Sequence, residues 1–226
     1  MTRIIDLSHP ISAGMFTHPG LPGPSVAAFR RRKSYREAAG TDFQVDRIDL
    51  VGNIGTYLDS PFHRFAGGDD LAAVPLAAVV DLPIHLLRVE NRRAVDVEDL
   101  AGGLGSVDLA SAAVLLHTGG DRAWGTQAYA ESAPFLTGDG ARWLARRRPV
   151  LVGIDGVNND DLNDTSRPAH TVLLGSGVLI VEHLTGLSAL PGTGARLHAA
   201  PPAWHCVGTW PVRAYALVDD SRAGPA

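Results

Sequence analysis

The sequence predicts a single mixed α/β domain, residues 1–226, and three observations carry that expectation. A chain of 226 residues suits one substantial domain and can bury a core without staples. Apolar runs of strand length alternate with helix-competent segments, with no long linker and no internal repeat. The run Val150-Leu151-Val152-Gly153-Ile154 is apolar without alternation, the pattern of a strand covered on both faces.

Taken in order, Arg3 to Ile11 reads as a short strand running into a turn restricted by Pro10. Met15 to Pro24 is a Gly/Pro-rich loop, and such irregular stretches inside compact domains are often functional. Phe43 to Val51 reads as a strand, Leu71 to Val79 as a short helix, and Ile84 to Val89 as a buried strand. Val97 to Leu100 opens another helix, and Ala113 to Thr118 is a strand ending in Gly119-Gly120. Pro134 begins a segment with helical potential, and the Thr137–Gly140 stretch caps a helix from Ala141 to Arg147. After the strand Val150–Asp155, the apolar pieces Thr171–Leu174 and Val178–Val181 are joined by Gly175-Ser176-Gly177. Leu184 to Leu190 reads as a short helix or turn, and Arg196–Pro201 and Val212–Val218 as closing strands around a Pro-rich loop.

A net charge of −4 gives no electrostatic footing for nucleic acid. The basic runs Arg30-Arg31-Arg32-Lys33 and Arg146-Arg147-Arg148 read as solvated faces or helix ends. One cysteine, Cys206, excludes an intrachain disulfide framework and fits a reducing compartment, with a small buried thiol as the expected state. No apolar run is long enough to cross a bilayer and no N-terminal h-region precedes the first strand, so a cytoplasmic protein with a small-molecule substrate is expected.

The densest chemistry lies in Asn53-Ile54-Gly55-Thr56-Tyr57-Leu58-Asp59-Ser60-Pro61-Phe62-His63. Period-2 spacing of Asn53, Tyr57, Asp59 and His63 would point these groups one way from an extended chain. Ionisable groups gathered on one face are poor core material, because buried polar atoms must find partners. A second concentration runs from Asp155 through Asn158-Asn159-Asp160-Asp161 to His170 and Glu182. Asp155 and Glu182 end apolar strands, where open α/β sheets bind ligands; Asp155 and Asp160 are equally suited to capping a turn or helix. His117, Trp124 and Trp204 read either as pocket lining or as core.

The first segment resembles the signature of the cyclase family of metal-dependent hydrolases, which includes bacterial kynurenine formamidase and isatin hydrolase: His-x-Gly-Thr-His-x-Asp-x-Pro-x-His. Gly55, Thr56, Asp59, Pro61 and His63 match in order, while Asn53 and Tyr57 stand where the family places two histidines. Asp6-Leu7-Ser8 and the later His170 and Glu182 extend the likeness over most of the chain. The resemblance implies a single mixed-sheet domain of swivelling β/β/α type assembling as a homodimer or homotetramer. It also implies a metal site. Two of the family's ligands are replaced here, so the implied set shrinks to Asp59, His170 and Glu182, one divalent ion (Zn²⁺ or Mn²⁺) or none.

On that reading His63 is the general acid or base, since an imidazole changes charge near neutral pH. Tyr57 donates to a developing oxyanion. Asn53, Thr56 and His18 contact the substrate. The implied reaction is hydrolysis of an amide or lactam C–N bond. A metal-free cyclase or dehydratase using His63 and Tyr57, or a binding protein without turnover, are the alternatives.

Overall fold

The computed structural model describes residues 1–15, 18–31, 43–90 and 92–219. Arg32 and Lys33 of the first basic run lie outside the described residues. The strands are β1 (Thr2–Asp6), β2 (Ser25–Arg30), β3 (Val45–Asp49), β4 (Tyr57–Asp59), β5 (Leu82–Arg88) and β6 (Ala94–Val95). Helix α1 (Val97–Leu104) leads to β7 (Ala113–His117), α2 (Ala128–Glu131), β8 (Phe135–Leu136), α3 (Gly138–Arg147) and β9 (Leu151–Ile154). The chain continues through α4 (Pro168–Gly175), β10 (Leu179–Glu182), β11 (Ala195–His198), β12 (Thr209–Pro211) and β13 (Tyr215–Asp219).

Nine strands form one sheet in the order β1-β13-β11-β5-β7-β9-β10-β4-β12. Its centre, β5-β7-β9-β10, is parallel, and both margins are antiparallel. The central strands are covered on both faces, which explains the unalternating run in β9. One face packs Val114, Leu116, Val152, Ile154 and Ile180 under Leu100, Leu144 and Leu173 of α1, α3 and α4. The other packs Leu58, Leu115, Leu151 and Val181 with Leu7, Leu187, Leu197 and Val218.

Local signals account for the helix ends. The Asp96 side chain accepts from Glu98 N and Asp99 N, closing a capping box at α1. Thr137 Oγ1 accepts from Gly140 N at α3, whose last turn carries Arg146 and Arg147, and Arg148 takes the left-handed cap (φ 55°).

Several expectations are corrected. Only Leu76–Ala78 of the Leu71–Val79 stretch is helical, as a 3₁₀ turn, because Pro75 sits in its middle. Phe135–Leu136 is a short strand pairing β6 rather than helix. Thr171–Leu174 belongs to α4. Cys206 is exposed, not buried. The hairpin β2–β3 was not anticipated beyond its second strand, and every residue of both strands is exposed. Among the described residues no helix is long and apolar enough to cross a membrane.

Candidate functional site

Strand β4 places the chemistry because it lies between β10 and β12. The register sets Tyr57 opposite Glu182 and Asp59 opposite Thr209. Directly opposed residues on one face come within side-chain reach. Accordingly Tyr57 Oη donates to Glu182 Oε2 (2.6 Å), and Thr209 Oγ1 donates to Asp59 Oδ1 (2.5 Å). The extended reading of residues 53–63 holds only for Tyr57–Asp59. Gly55 adopts φ +61°, and Pro61–His63 forms a 3₁₀ turn that swings His63 back over the strand end. His63 Nδ1 thereby lies 4.0 Å from Asp59 Oδ1 and 2.6 Å from Thr209 Oγ1. Gly208 permits this fold-back, since any Cβ there would collide with His63 N.

Thr209 has one hydroxyl proton, and Asp59 as a carboxylate can only accept it. His63 Nδ1–H therefore donates to Thr209, which in the neutral ring leaves the lone pair on Nε2.

The second cluster arrives on the loop after β9 and on α4. Asp160 is buried and caps α4, accepting from Ala169 N (2.5 Å), His170 N (3.2 Å) and His170 Nδ1 (2.6 Å). This turns His170 Nε2 inward, 3.6 Å from both Asp59 Oδ2 and Glu182 Oε1. Asn158 and Asn159 hold Glu182: Asn159 N donates to Oε1 (2.5 Å), with both asparagine amides adding longer bonds. Asp155 accepts from Thr118 N, Thr118 Oγ1 and Gly119 N, so it serves the turn after β7.

The electrostatics follow from burial. Burial alone would lower the His170 pKa, but the carboxylates of Glu182, Asp160 and Asp59 push it up to about 10. Burial raises Glu182, only partly offset by His170. Asp59, despite burial, is held below the ordinary range by His63 and His170. Burial, with Glu182 and Asp59 alongside, lifts the Tyr57 phenol well above its usual value, so it stays a neutral donor.

A cavity of about 380 Å³ opens onto this cluster, lined by His18, Asn53, His63, Arg64, Asn158, Arg167, His170 and Glu182. Of the substrate-contact candidates, Asn53 and His18 reach it. Thr56 does not: it is buried, its hydroxyl donating to His183 O (2.5 Å) and accepting from His9 N (3.1 Å). Tyr57 lies beneath the cavity with its single proton committed to Glu182 and with Asn53 hydrogen-bonded to its oxygen. A free phenol aimed at an oxyanion, or a His63/Tyr57 acid–base pair, is therefore not assembled. His117 is a buried histidine bonded to Arg88, Trp124 stacks on His9 at 3.8 Å, and Trp204 is exposed. Sequence reading missed Thr209 and the guanidiniums of Arg64 and Arg167; no motif marked them.

The donor set suits a divalent cation. Ligand atoms of Asp59, His63 and His170 lie within 4.8 Å of one another, and Asp59 Oδ2 is buried without a hydrogen-bond donor. An imidazole whose Nδ1 is held by a carboxylate while Nε2 faces other acids is the arrangement that supports metal-ligating histidines.

Fold and site together define a cavity floored by a carboxylate–imidazole cluster at the carboxyl ends of parallel strands. The Cyclase family model matches residues 5–161, and the chain belongs to that family. It is 28% identical to a kynurenine formamidase of Geobacillus thermodenitrificans over 77% of this chain and 79% of that protein. It is 26% identical to one of Bordetella petrii over 89% and 96%. In fold it matches isatin hydrolase A from Labrenzia aggregata with a TM-score of 0.82 at 23% identity, covering 96% of this chain and 94% of that one.

Proposed function

We propose that this protein hydrolyses an amide or lactam C–N bond of a small carbonyl compound with the help of one divalent cation, Zn²⁺ or Mn²⁺. The observation that carries this reading is the gathering of ligand atoms of Asp59, His63 and His170 within 4.8 Å of one another, beside the cavity that His63, His170 and Glu182 line. The names of the relatives, kynurenine formamidase above all, support the reaction class.

Asp59 and His170 would hold the cation, with Glu182 as the third ligand; Glu182 already accepts from Tyr57, Asn158 and Asn159, which orient it. When bound, the ion would polarise the scissile carbonyl and acidify water. His63 Nε2 takes the proton of the attacking water and returns it to the departing nitrogen. Its side chain is 34% exposed, enough to meet water, while Thr209 fixes its ring through Nδ1. Tyr57 and Asn53 act as positioning residues beneath Glu182. Turnover of N-formyl arylamines, N-acyl amides and lactams by Mn²⁺- or Zn²⁺-supplemented protein tests the reading. Release of amine by wild type but not by Asp59→Ala is expected; a metal-bearing protein inert toward all three classes would sink it.

We further propose a homodimer joined through the β2–β3 ribbon. A two-stranded ribbon alone is marginal in water, and Val26, Phe29 (79% exposed) and Ile48 give this one an apolar surface. Light scattering should report twice the chain mass, falling to the monomer for Phe29→Asp with Ile48→Asp; a monomeric wild type contradicts the assignment. The unpaired thiol, Cys206, supports a cytoplasmic location.

A further inference from the structure

We propose that the substrate of this pocket carries a carboxylate, received by Arg64 and Arg167 at the cavity rim. This rests on reading the cavity as the substrate pocket of the hydrolytic site. Arg64 directly follows His63, and its position is fixed by the same 3₁₀ turn, where its N–H bonds Pro61 O. Its guanidinium donates through Nε to Thr171 Oγ1 (3.1 Å) and through Nη2 to Ser166 O (3.2 Å). Thr171 Oγ1 in turn donates to Arg167 O (2.7 Å). The Arg64 guanidinium is thus tied to the turn at the start of α4 that carries Arg167, beside the two histidines of the site.

Neither is neutralised among the described residues. Arg64 bonds only a hydroxyl and a carbonyl, and Arg167 only the carbonyl of Asp161 (3.3 Å). The acids nearby are committed elsewhere. Asp161 takes Arg93 through both carboxylate oxygens, and Asp164, although it feels the Arg167 charge, accepts from Ser166 N and Oγ. Two unpaired cations lining one cavity, each with N–H groups to spare, suit a planar carboxylate, which guanidinium recognises by parallel hydrogen bonds.

The backbone supplies an independent observation. Arg167 stands in the left-handed region (φ 50°, ψ 60°) immediately before Pro168. Non-glycine residues use that region sparsely, and such conformations cluster at ligand clamps. Here the turn directs a long cationic side chain to the cavity rather than onto the helix it precedes.

Titration calorimetry with N-benzoylglycine and its neutral amide, N-benzoylglycinamide, tests the proposal on wild-type protein, Arg64→Gln, Arg167→Gln and the double variant. Arg64 is exposed and Arg167 half-buried, and neither removal strands a charge partner, so the variants should melt close to wild type. The acid is expected to bind about tenfold or more tighter than the amide in wild type. That ratio should shrink in each single variant and fall to about twofold or less in the double variant. Equal binding of the two compounds by wild type would overturn the proposal. So would a preference that survives in the double variant, which would place the carboxylate on the inner cluster, or no saturable binding of either compound. The titration needs no turnover. A protein that prefers the acid yet cleaves nothing would keep this inference while losing the hydrolase reading, and rapid cleavage without acid preference would do the reverse.

Discussion

His63→Ala should lower kcat/KM by about 10²–10⁴-fold, the range general acid–base groups contribute, with little change in melting temperature. His63 sits at the cavity wall with its Nδ1 bonded to Thr209, so removing it deletes the proton acceptor without opening the core. Ligand binding should survive, because the Arg64/Arg167 rim and the Asp59–His170–Glu182 floor remain. Steady-state kinetics on any amide the wild type cleaves, with calorimetric binding of the same compound, checks both halves. Unchanged kcat would show that another group moves the proton.

Asp160→Ala should be the most damaging single change to the site's architecture. It strips acceptors from Ala169 N, His170 N and His170 Nδ1 at once, all in the interior. Each buried donor left unsatisfied costs about 1–3 kcal/mol, so a loss of about 3 kcal/mol or more is expected. For a chain of this size that is a fall in Tm of about 6–12 °C. The freed imidazole would also lose its fixed orientation, weakening metal binding about 10–100-fold. Asp160→Asn keeps one acceptor and should fall between. Scanning calorimetry with and without Mn²⁺ reads both effects, and an unchanged melt for the alanine variant would contradict the account of α4.

Much of this was legible in the chain because its signals were local. The unalternating apolar run foretold a strand covered on both faces, and Asp160, suited by type to capping, accepts from the first N–H groups of α4. The chemically crowded residues 53–63 are brought together through a left-handed Gly55 and a 3₁₀ turn, not through the continuous strand that their period-2 spacing suggested. What sequence reading lacked was pairing between distant segments. Thr209 reaches Asp59 from 150 residues away because β12 happens to pair with β4 in that register. The same non-local pairing joins Tyr57 to Glu182, and it decided that the phenol supports a carboxylate instead of facing substrate. The Leu71–Val79 stretch departs from a helix for a local reason, Pro75, which leaves only the 3₁₀ turn Leu76–Ala78.

The departure at Asn53 and Tyr57 bears on how the site is held together. Tyr57 fills its place beneath Glu182 with a neutral donor, and Asn53 supports the phenol, so the two residues stabilise the remaining acids rather than leaving a void. Meanwhile Asp59 Oδ2 stays without a donor, and three buried acids surround His170. That pattern is suited to one ion.

The measurement that tests this most directly is the metal content of the chain purified without chelator or affinity-column metal, with Asp59→Ala alongside. The account predicts about one equivalent of divalent metal per chain, lost in the variant, since three protein ligands define one catalytic position. Metal-free protein whose melting temperature ignores added Zn²⁺ and Mn²⁺ would contradict it.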